Sequence, residues 1–370
     1  MENIQKKEKT KILNYINVFR GLAILLIVMG HTMQFGDKNT ILHIIVCEIF
    51  CGGTALFMFI SGFLFQHLSS KFEYKNYLSK KWTNVILPYF FTAIPGILLC
   101  IFLPYAYKNS FVGMNPLLQI PIHLSIGRVH NVPTWFIPMI VCFFLLSWSF
   151  LKLEKKNILY KLLPIFFIIT IFLQRGIAEY ESTRDLSHIE TYITYIKYNL
   201  TGVLHFLSLY IFGMYCSYNK AIINVFYNKR FLLLILMILT SATDIFLMYK
   251  YQYSNYTISK IFLTMVVLGY LKHYDEIIIS KKKLNSFLDL IAKYSFGIFF
   301  VHWYCFFAYN QLFDIKGVLP LLNNNILYTL LLVFIRFIVV TILSMFSLFL
   351  IKKILLFINK DINTRKYIGV

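Results

Sequence analysis

The sequence predicts an all-α membrane protein, a polytopic bundle of about ten transmembrane helices. Of its 370 residues, 58% are apolar and only 14% are charged, whereas roughly a quarter of the residues of a soluble domain are charged. The apolar residues are gathered in runs of about twenty, the length that a helix needs to cross the hydrocarbon core. We expect one membrane domain over 1–370, with a cytoplasmic lead-in at 1–16 and a cytoplasmic tail at 352–370.

The predicted spans follow one another with mostly short connections, and two longer polar segments, 106–133 and 175–198, are expected on the outer side. The second span contains the small-residue clusters CGGTA and SGF, which allow helices to approach closely. We predict spans at 17–35, 42–66, 85–105, 134–151, 162–174, 199–217, 231–248, 257–271, 291–310 and 325–351.

The net charge of +20 is unevenly distributed along this topology. Most lysines and arginines fall in segments on the N-terminal side of the membrane, which by the positive-inside rule places both termini in the cytoplasm. We therefore expect membrane lipids and no nucleic acid as partners of this charge. The six cysteines all lie in apolar runs without a matching cluster of cysteines and histidines, so no metal site is expected.

The first span carries an arginine and a histidine eleven residues apart, Arg20 and His31. Eleven steps return a helix to within about 20° of its starting direction, roughly 16 Å further along, so both side chains project from one face. Ionisable residues inside a span are costly and are candidates for function. His31 suits general-base catalysis, or alternatively an interhelical hydrogen bond. Arg20 suits an anionic ligand such as a phosphate, or alternatively snorkels to headgroups.

Further polar residues lie within or beside other spans. Glu48 is expected at a depth similar to that of His31, where it could orient the imidazole, or else be a protonated acid bonded to backbone. His302 and Arg336 could complete a polar interior, with Asp244 as a partner for Arg336, but packing pairs explain them equally well.

Lys80 and Lys81 precede the third span and could contact an anionic cosubstrate. The simpler interpretation is that they are ordinary positive charges on the inner side of the membrane.

Several segments, in this order, resemble the membrane acyltransferase-3 family. In the first span an arginine and a histidine are separated by ten residues, as in the family's first helix. Three later segments resemble motifs of the family's later helices. The four segments are NVFRGLAILLIVMGH with Arg20 and His31, FMFISGFLF with Ser61, PTWFIPMIV with Trp135, and YSFGIFFVHW with His302. One departure concerns the arginines that the family often has before the proline of the third helix. Here the stretch reads KKWTNVILPY and contains no arginine.

The resemblance implies a bacterial multi-pass protein of the cytoplasmic membrane that transfers an acyl group, usually acetyl from acetyl-CoA, to a hydroxyl of a carbohydrate. It implies that Arg20, Lys80 and Lys81 bind the donor and that His31, steadied by Glu48, activates the hydroxyl. Ser61, Trp135, His302 and Arg336 are then expected around the substrates. Direct transfer and a covalent relay both remain open. Some members carry an added SGNH-type domain, which we do not expect here.

A transporter or flippase for a lipid-linked glycan is the main alternative, since it also needs a polar path through a helical bundle. Such a protein often has repeated halves and helices broken by glycine or proline at corresponding positions, and neither is evident in the sequence. A structural or sensory role would make no use of the alignment of Arg20 with His31.

Overall fold

The computed structural model describes residues 13–33, 35, 40–105, 107–128, 133–173, 183, 185–313 and 326–370. These residues form helices joined by turns, and no strand occurs among them, which confirms the all-α class. In chain order the α-helices are α1 Asn14–Thr32, α2 Ile41–Phe50, α3 Gly53–His67, α4 Tyr74–Lys81, α5 Leu87–Phe102, α6 Pro116–Ile126, α7 Phe136–Lys155, α8 Leu163–Phe172, α9 His188–Tyr218, α10 Ile222–Asn228, α11 Arg230–Tyr251, α12 Thr257–His273, α13 Asp275–Ser280, α14 Lys282–Phe313, α15 Ile326–Ile358 and α16 Arg365–Ile368.

Within the described part of the chain, 8 helical stretches are long and apolar enough to cross a membrane. They are α1, α2 with α3, α4 with α5, α7, α9, α11, α14 and α15. The predicted spans 162–174 and 257–271 correspond to the shorter helices α8 and α12, of 10 and 17 residues. The polytopic helical architecture is thus confirmed, while the number of crossings and the side of the termini stay predictions.

The second predicted span, 42–66, is interrupted, which the sequence analysis did not anticipate. Helix α2 ends at Phe50 and α3 begins at Gly53, and between them Gly52 adopts a φ of 89°. Glycine takes this left-handed conformation without a steric penalty. The interruption packs on α1, because a Cβ atom on Gly30 would lie only 3.1 Å from the Phe50 carbonyl oxygen. The last carbonyls of α2 therefore need partners within the bundle.

Helices α3 and α9 make a close backbone contact, through one glycine on each helix. A Cβ atom on Gly62 would lie 1.9 Å from the Tyr210 carbonyl oxygen, and one on Gly213 would lie 2.0 Å from the Phe59 carbonyl oxygen. Without hydrocarbon–water contrast to drive association, small residues allow the close packing that holds membrane helices together. The SGF cluster serves this contact and holds the neighbouring Ser61 in place.

The segment after α15 folds back onto the bundle. Ile368 and Val370 are buried, the Tyr367 ring lies 4.9 Å from the Phe91 ring between centroids, and the Thr364 hydroxyl donates to the Val370 carbonyl at 2.6 Å. The predicted tail at 352–370 thus begins as the end of a long helix and continues as a packed segment. Its cytoplasmic location stays a prediction.

Candidate functional site

A cavity of about 1100 Å³ lies among the helices that the sequence analysis associated with an anionic donor. Its charged lining is predominantly basic, with six cationic and two acidic side chains. They are Arg20, Lys71, Lys80, Lys81, Lys293, Arg365, Glu73 and Asp289. Its apolar lining includes Ile27, Ile60, Phe136, Ile140 and Phe299. The cavity therefore combines a cationic part with an apolar part.

Arg20 lines the cavity from α1. One terminal nitrogen of its guanidinium donates to the Asn17 side-chain oxygen at 2.9 Å, and the Asn17 amide in turn donates to Asp289 on α14. The Arg20 Nε atom is buried and has no hydrogen-bond partner in the described part of the protein. A buried donor left unpaired is costly, and an acceptor on a ligand in the cavity would remove this cost.

Lys80 and Lys81, at the end of α4, also line the cavity together with Arg20 and Ser61. The Lys81 ammonium lies 5.1 Å from the centroid of the Tyr77 ring and 4.7 Å from that of Phe144, within the range of cation–π attraction. The next turn, Trp82–Ile86, is a π-helix, a widened turn that often marks functional sites. The structure thus brings together the three residues predicted to bind the donor.

His31 is half-buried near the end of α1 and contacts two aromatic side chains of α14. Its ring centroid lies 5.4 Å from that of His302 and 5.1 Å from that of Trp303. His302 is fully buried. Its Nδ1 atom lies 2.9 Å from the Ile298 carbonyl oxygen, so Nδ1 carries the hydrogen and the buried Nε2 atom is left able to accept a proton.

The histidine pair lies just beyond the apolar part of the cavity and outside its lining. Ile27, which lines the cavity, precedes His31 by four residues on α1, and Phe299 precedes His302 by three on α14. Each histidine is therefore about one helical turn further along than a lining residue. The chemistry expected of His31 would occur about one helical turn beyond the apolar part of the cavity.

Arg336 holds the end of the helix that carries His31. Its Nε atom donates to the Thr32 carbonyl oxygen at 2.5 Å, and its guanidinium carbon lies 5.4 Å from the centroid of the Phe306 ring. The last carbonyls of a helix lack intrahelical partners and attract cations. Asp244, considered as its partner, instead accepts from the backbone of Asn255. Arg336 is thus suited to position α1.

Glu48 contacts α11 and α12. Its Oε1 atom accepts from the Ser241 hydroxyl at 2.8 Å and lies 3.7 Å from the Lys260 ammonium. Lys260 also donates to the Glu48 backbone carbonyl, so it satisfies one of the carbonyls freed at the interruption after α2. These contacts assign the carboxylate to an ion pair with Lys260, and they do not include the predicted orienting bond to His31.

Trp135 lies behind the cavity wall. Its ring packs edge-on against Phe136, with centroids 6.2 Å apart, and is stacked near Phe206 at 6.5 Å. Phe136 lines the cavity and contacts Phe299, with centroids 5.5 Å apart. Trp135 thus supports the apolar wall. Among the described residues, no group of three or more metal-ligating side chains lies close enough to hold a metal ion.

The sequence patterns did not point to six charged residues: Lys71, Glu73, Asp289, Lys293 and Arg365, which line the cavity, and Lys260, which pairs with Glu48. Asp289 and Lys293 are four residues apart on α14, which places them on one face, and this spacing could have revealed them. Lys260, within an apolar helix, was a visible signal as well. Arg365 follows no pattern in the sequence that points to the cavity.

Comparisons with known proteins cover most of the chain. Two curated relatives carry the name "Probable poly-beta-1,6-N-acetyl-D-glucosamine export protein", one from Staphylococcus epidermidis and one from its strain RP62A. Each is 24% identical to this chain over 328 residues, which cover 84% of this chain and 85% of the relative. A comparison with solved structures finds no match. The acyltransferase domain model of the acyltransferase-3 family matches residues 13–345, nearly the whole sequence, and the protein therefore belongs to the acyltransferase-3 family.

Proposed function

We propose that this protein is a membrane O-acyltransferase that moves an acyl group, acetyl from acetyl-CoA, to a hydroxyl of a cell-surface or lipid-linked carbohydrate. Family membership supports a membrane acyltransferase. The observation that carries the finer proposal is the cavity of about 1100 Å³, with cations at one part and the His31–His302 pair one turn beyond its apolar part.

The cavity suits the chemistry of an acyl-CoA. Such a donor carries several phosphates at one end and a thioester at the end of a flexible, less polar arm. Phosphates bind guanidinium and ammonium groups, which Arg20, Lys80 and Lys81 provide. The arm suits the apolar lining, and its thioester would then approach the histidine pair.

The transfer can be written as a general-base reaction on the two histidines. His31 takes the proton of the acceptor hydroxyl, whose oxygen attacks the thioester carbonyl carbon. The carbon–sulfur bond breaks, the acyl group remains on the sugar oxygen, and the departing thiolate receives the proton from the imidazolium. A His302 ring with a free Nε2 lone pair can share this proton. A covalent relay would use the same groups in two steps.

A carbohydrate acceptor is supported by the name of the two relatives, which refers to a polymer of N-acetylglucosamine. We place the protein in the cytoplasmic membrane of a bacterium, with its basic segments inside. In that orientation the donor enters from the cytoplasm, and the sugar approaches the other end of α1, near His31.

Export of a glycan is the second candidate. The interrupted helix at Gly52, with the buried Glu48–Lys260 pair beside it, is a feature that transporters use, and the relatives are named for export. A transporter would move a labelled glycan across a vesicle membrane without acyl-CoA. An acyltransferase would label the glycan and consume acyl-CoA.

The test is transfer of radiolabelled acetyl from acetyl-CoA to cell-envelope glycans in membranes containing wild type, His31→Ala or His273→Ala at equal amounts. His273 is exposed and stacked on Tyr227, away from the cavity, and serves as the matched histidine control. We expect labelling with wild type and His273→Ala and its loss with His31→Ala. Equal labelling by all three would remove His31 from the mechanism, and no labelling by wild type would favour export.

A further inference from the structure

Residues 364–370 form part of the wall of the basic cavity. Arg365, Gly369 and Val370 all line it. The segment is fixed by packing, since a Cβ atom on Gly297 of α14 would lie 2.5 Å from a methyl of Val370. The Arg365 side chain itself is exposed, so its guanidinium lies at the accessible part of the cavity.

Arg365 brings a third positive charge close to two others. It interacts electrostatically with Arg20 on α1 and with Lys81 on α4. These three residues come from parts of the sequence far apart, and they meet only in the folded protein. Like charges held together repel, and of the two acidic side chains in the lining it is Asp289 that opposes the charge of Arg20. An anion in the cavity would relieve this repulsion.

The unpaired Nε atom of Arg20 is an independent sign of a ligand in the same place. The protein fold gives this buried donor no acceptor within the described residues, although its neighbouring terminal nitrogen is bonded to Asn17. The stretch KKWTN that follows α4 supplies lysines but no guanidinium. A planar guanidinium pairs with two phosphate oxygens at once, which an ammonium cannot do.

We propose that Arg365 binds the phosphate-bearing end of the acyl-CoA donor together with Arg20 and Lys81. The segment 364–370 is then part of the donor site. This inference rests on the proposed function, because it assigns a residue to the donor that the function requires. Arg365 acts on donor affinity and takes no part in the transfer at the thioester.

The first experiment compares steady-state kinetics of wild type, Arg365→Ala, Arg365→Lys and Lys366→Ala with acetyl-CoA as the varied substrate. Lys366 is the adjacent exposed cation on the same short helix and lies outside the lining. We expect Arg365→Ala to raise KM about tenfold with kcat nearly unchanged, as loss of a charged bidentate contact does. The KM of Arg365→Lys should lie between those of wild type and Arg365→Ala, and the KM of Lys366→Ala should equal that of wild type.

A binding measurement with CoA alone on the purified protein in detergent gives a readout that does not depend on transfer. The dissociation constant of Arg365→Ala should rise by the same factor as its KM, with an unchanged elution volume and melting temperature. An unchanged dissociation constant overturns the inference, as does an equal rise with Lys366→Ala, which would indicate general surface charge. If wild type transfers acetyl and Arg365→Ala behaves like it, only this inference fails. If wild type neither binds CoA nor transfers acetyl, the proposed function fails first.

Discussion

The imidazole rings of His31 and His302 lie 5.4 Å apart between centroids, although the residues belong to the first and the ninth predicted spans. The two rings are tilted by 34°, and His31 also contacts Trp303. His31, on α1, therefore packs against two side chains of α14. The contact joins the candidate base to a second imidazole that is shielded from solvent.

Replacing His302 with Phe should lower kcat roughly 100-fold or more while leaving KM for acetyl-CoA unchanged, which is the scale of lost proton transfer. Phenylalanine keeps an aromatic ring among Phe299 and its neighbours, so folding should be retained. Steady-state kinetics at equal protein amounts checks this, with His273→Phe as the control. Full activity of His302→Phe would leave His302 as a packing residue.

Replacing Arg20 with Ala should raise KM for acetyl-CoA at least tenfold, because a guanidinium that faces the cavity is lost. Arg20→Lys should recover only part of the affinity, since an ammonium cannot make two parallel bonds to a phosphate. Steady-state kinetics with acetyl-CoA as the varied substrate, at several salt concentrations, measures the change in KM. Arg230→Ala is the control, because Arg230 stacks on Tyr227 and Phe231 outside the cavity lining. A KM for Arg20→Ala equal to that of the control would point to a headgroup contact.

The Glu48–Lys260 pair should behave as a structural ion pair. Removing one partner, in Glu48→Gln or Lys260→Met, leaves a buried group uncompensated and should cost about 3–5 kcal/mol in the free energy of unfolding. The double variant should be more stable than either single one and should still transfer acetyl. Unfolding and transfer assays on all four proteins test this. Loss of transfer in a stable double variant would support the predicted catalytic role of Glu48.

Gly62→Ala should destabilise the protein, because the new methyl group meets the Tyr210 carbonyl at 1.9 Å and backbone cannot move aside cheaply. The expected loss is about 3 kcal/mol or more in the free energy of unfolding. Gly202→Ala is the control, since its methyl group would face the flexible end of Met139 at 3.2 Å. Melting temperatures in detergent give the comparison, and equal values would mean that α3 and α9 separate more easily than their contact suggests.

Hydrophobic patterning was enough to predict the helical membrane class, because segment length and polarity decide it. Helical periodicity also placed Arg20 and His31 on one helix, which the structure confirms as α1. Composition and motif order led to the acyltransferase-3 resemblance, which the family model confirms. The predictions that succeeded depend on properties local to a segment or on the order of segments.

The predictions that did not match the contacts depend on which faces of the helices pack against each other. Glu48 was expected to face His31, but the interruption at Gly52 and the packing of α11 and α12 direct it to Lys260 instead. Helical periodicity does not predict this change of direction, because Cys51 and Gly52 leave the helical conformation, Cys51 with an extended backbone and Gly52 with a φ of 89°. Arg365 likewise reaches the cavity through the fold of a short segment whose position depends on burial of Ile368 and Val370.

The glycine contact between α3 and α9 has a mechanical consequence. Two helices whose backbones touch at Gly62 and Gly213 cannot slide or rotate past each other without losing that fit. They therefore form a rigid unit next to Ser61. Any widening of the cavity as a ligand enters must then come from other parts of its lining.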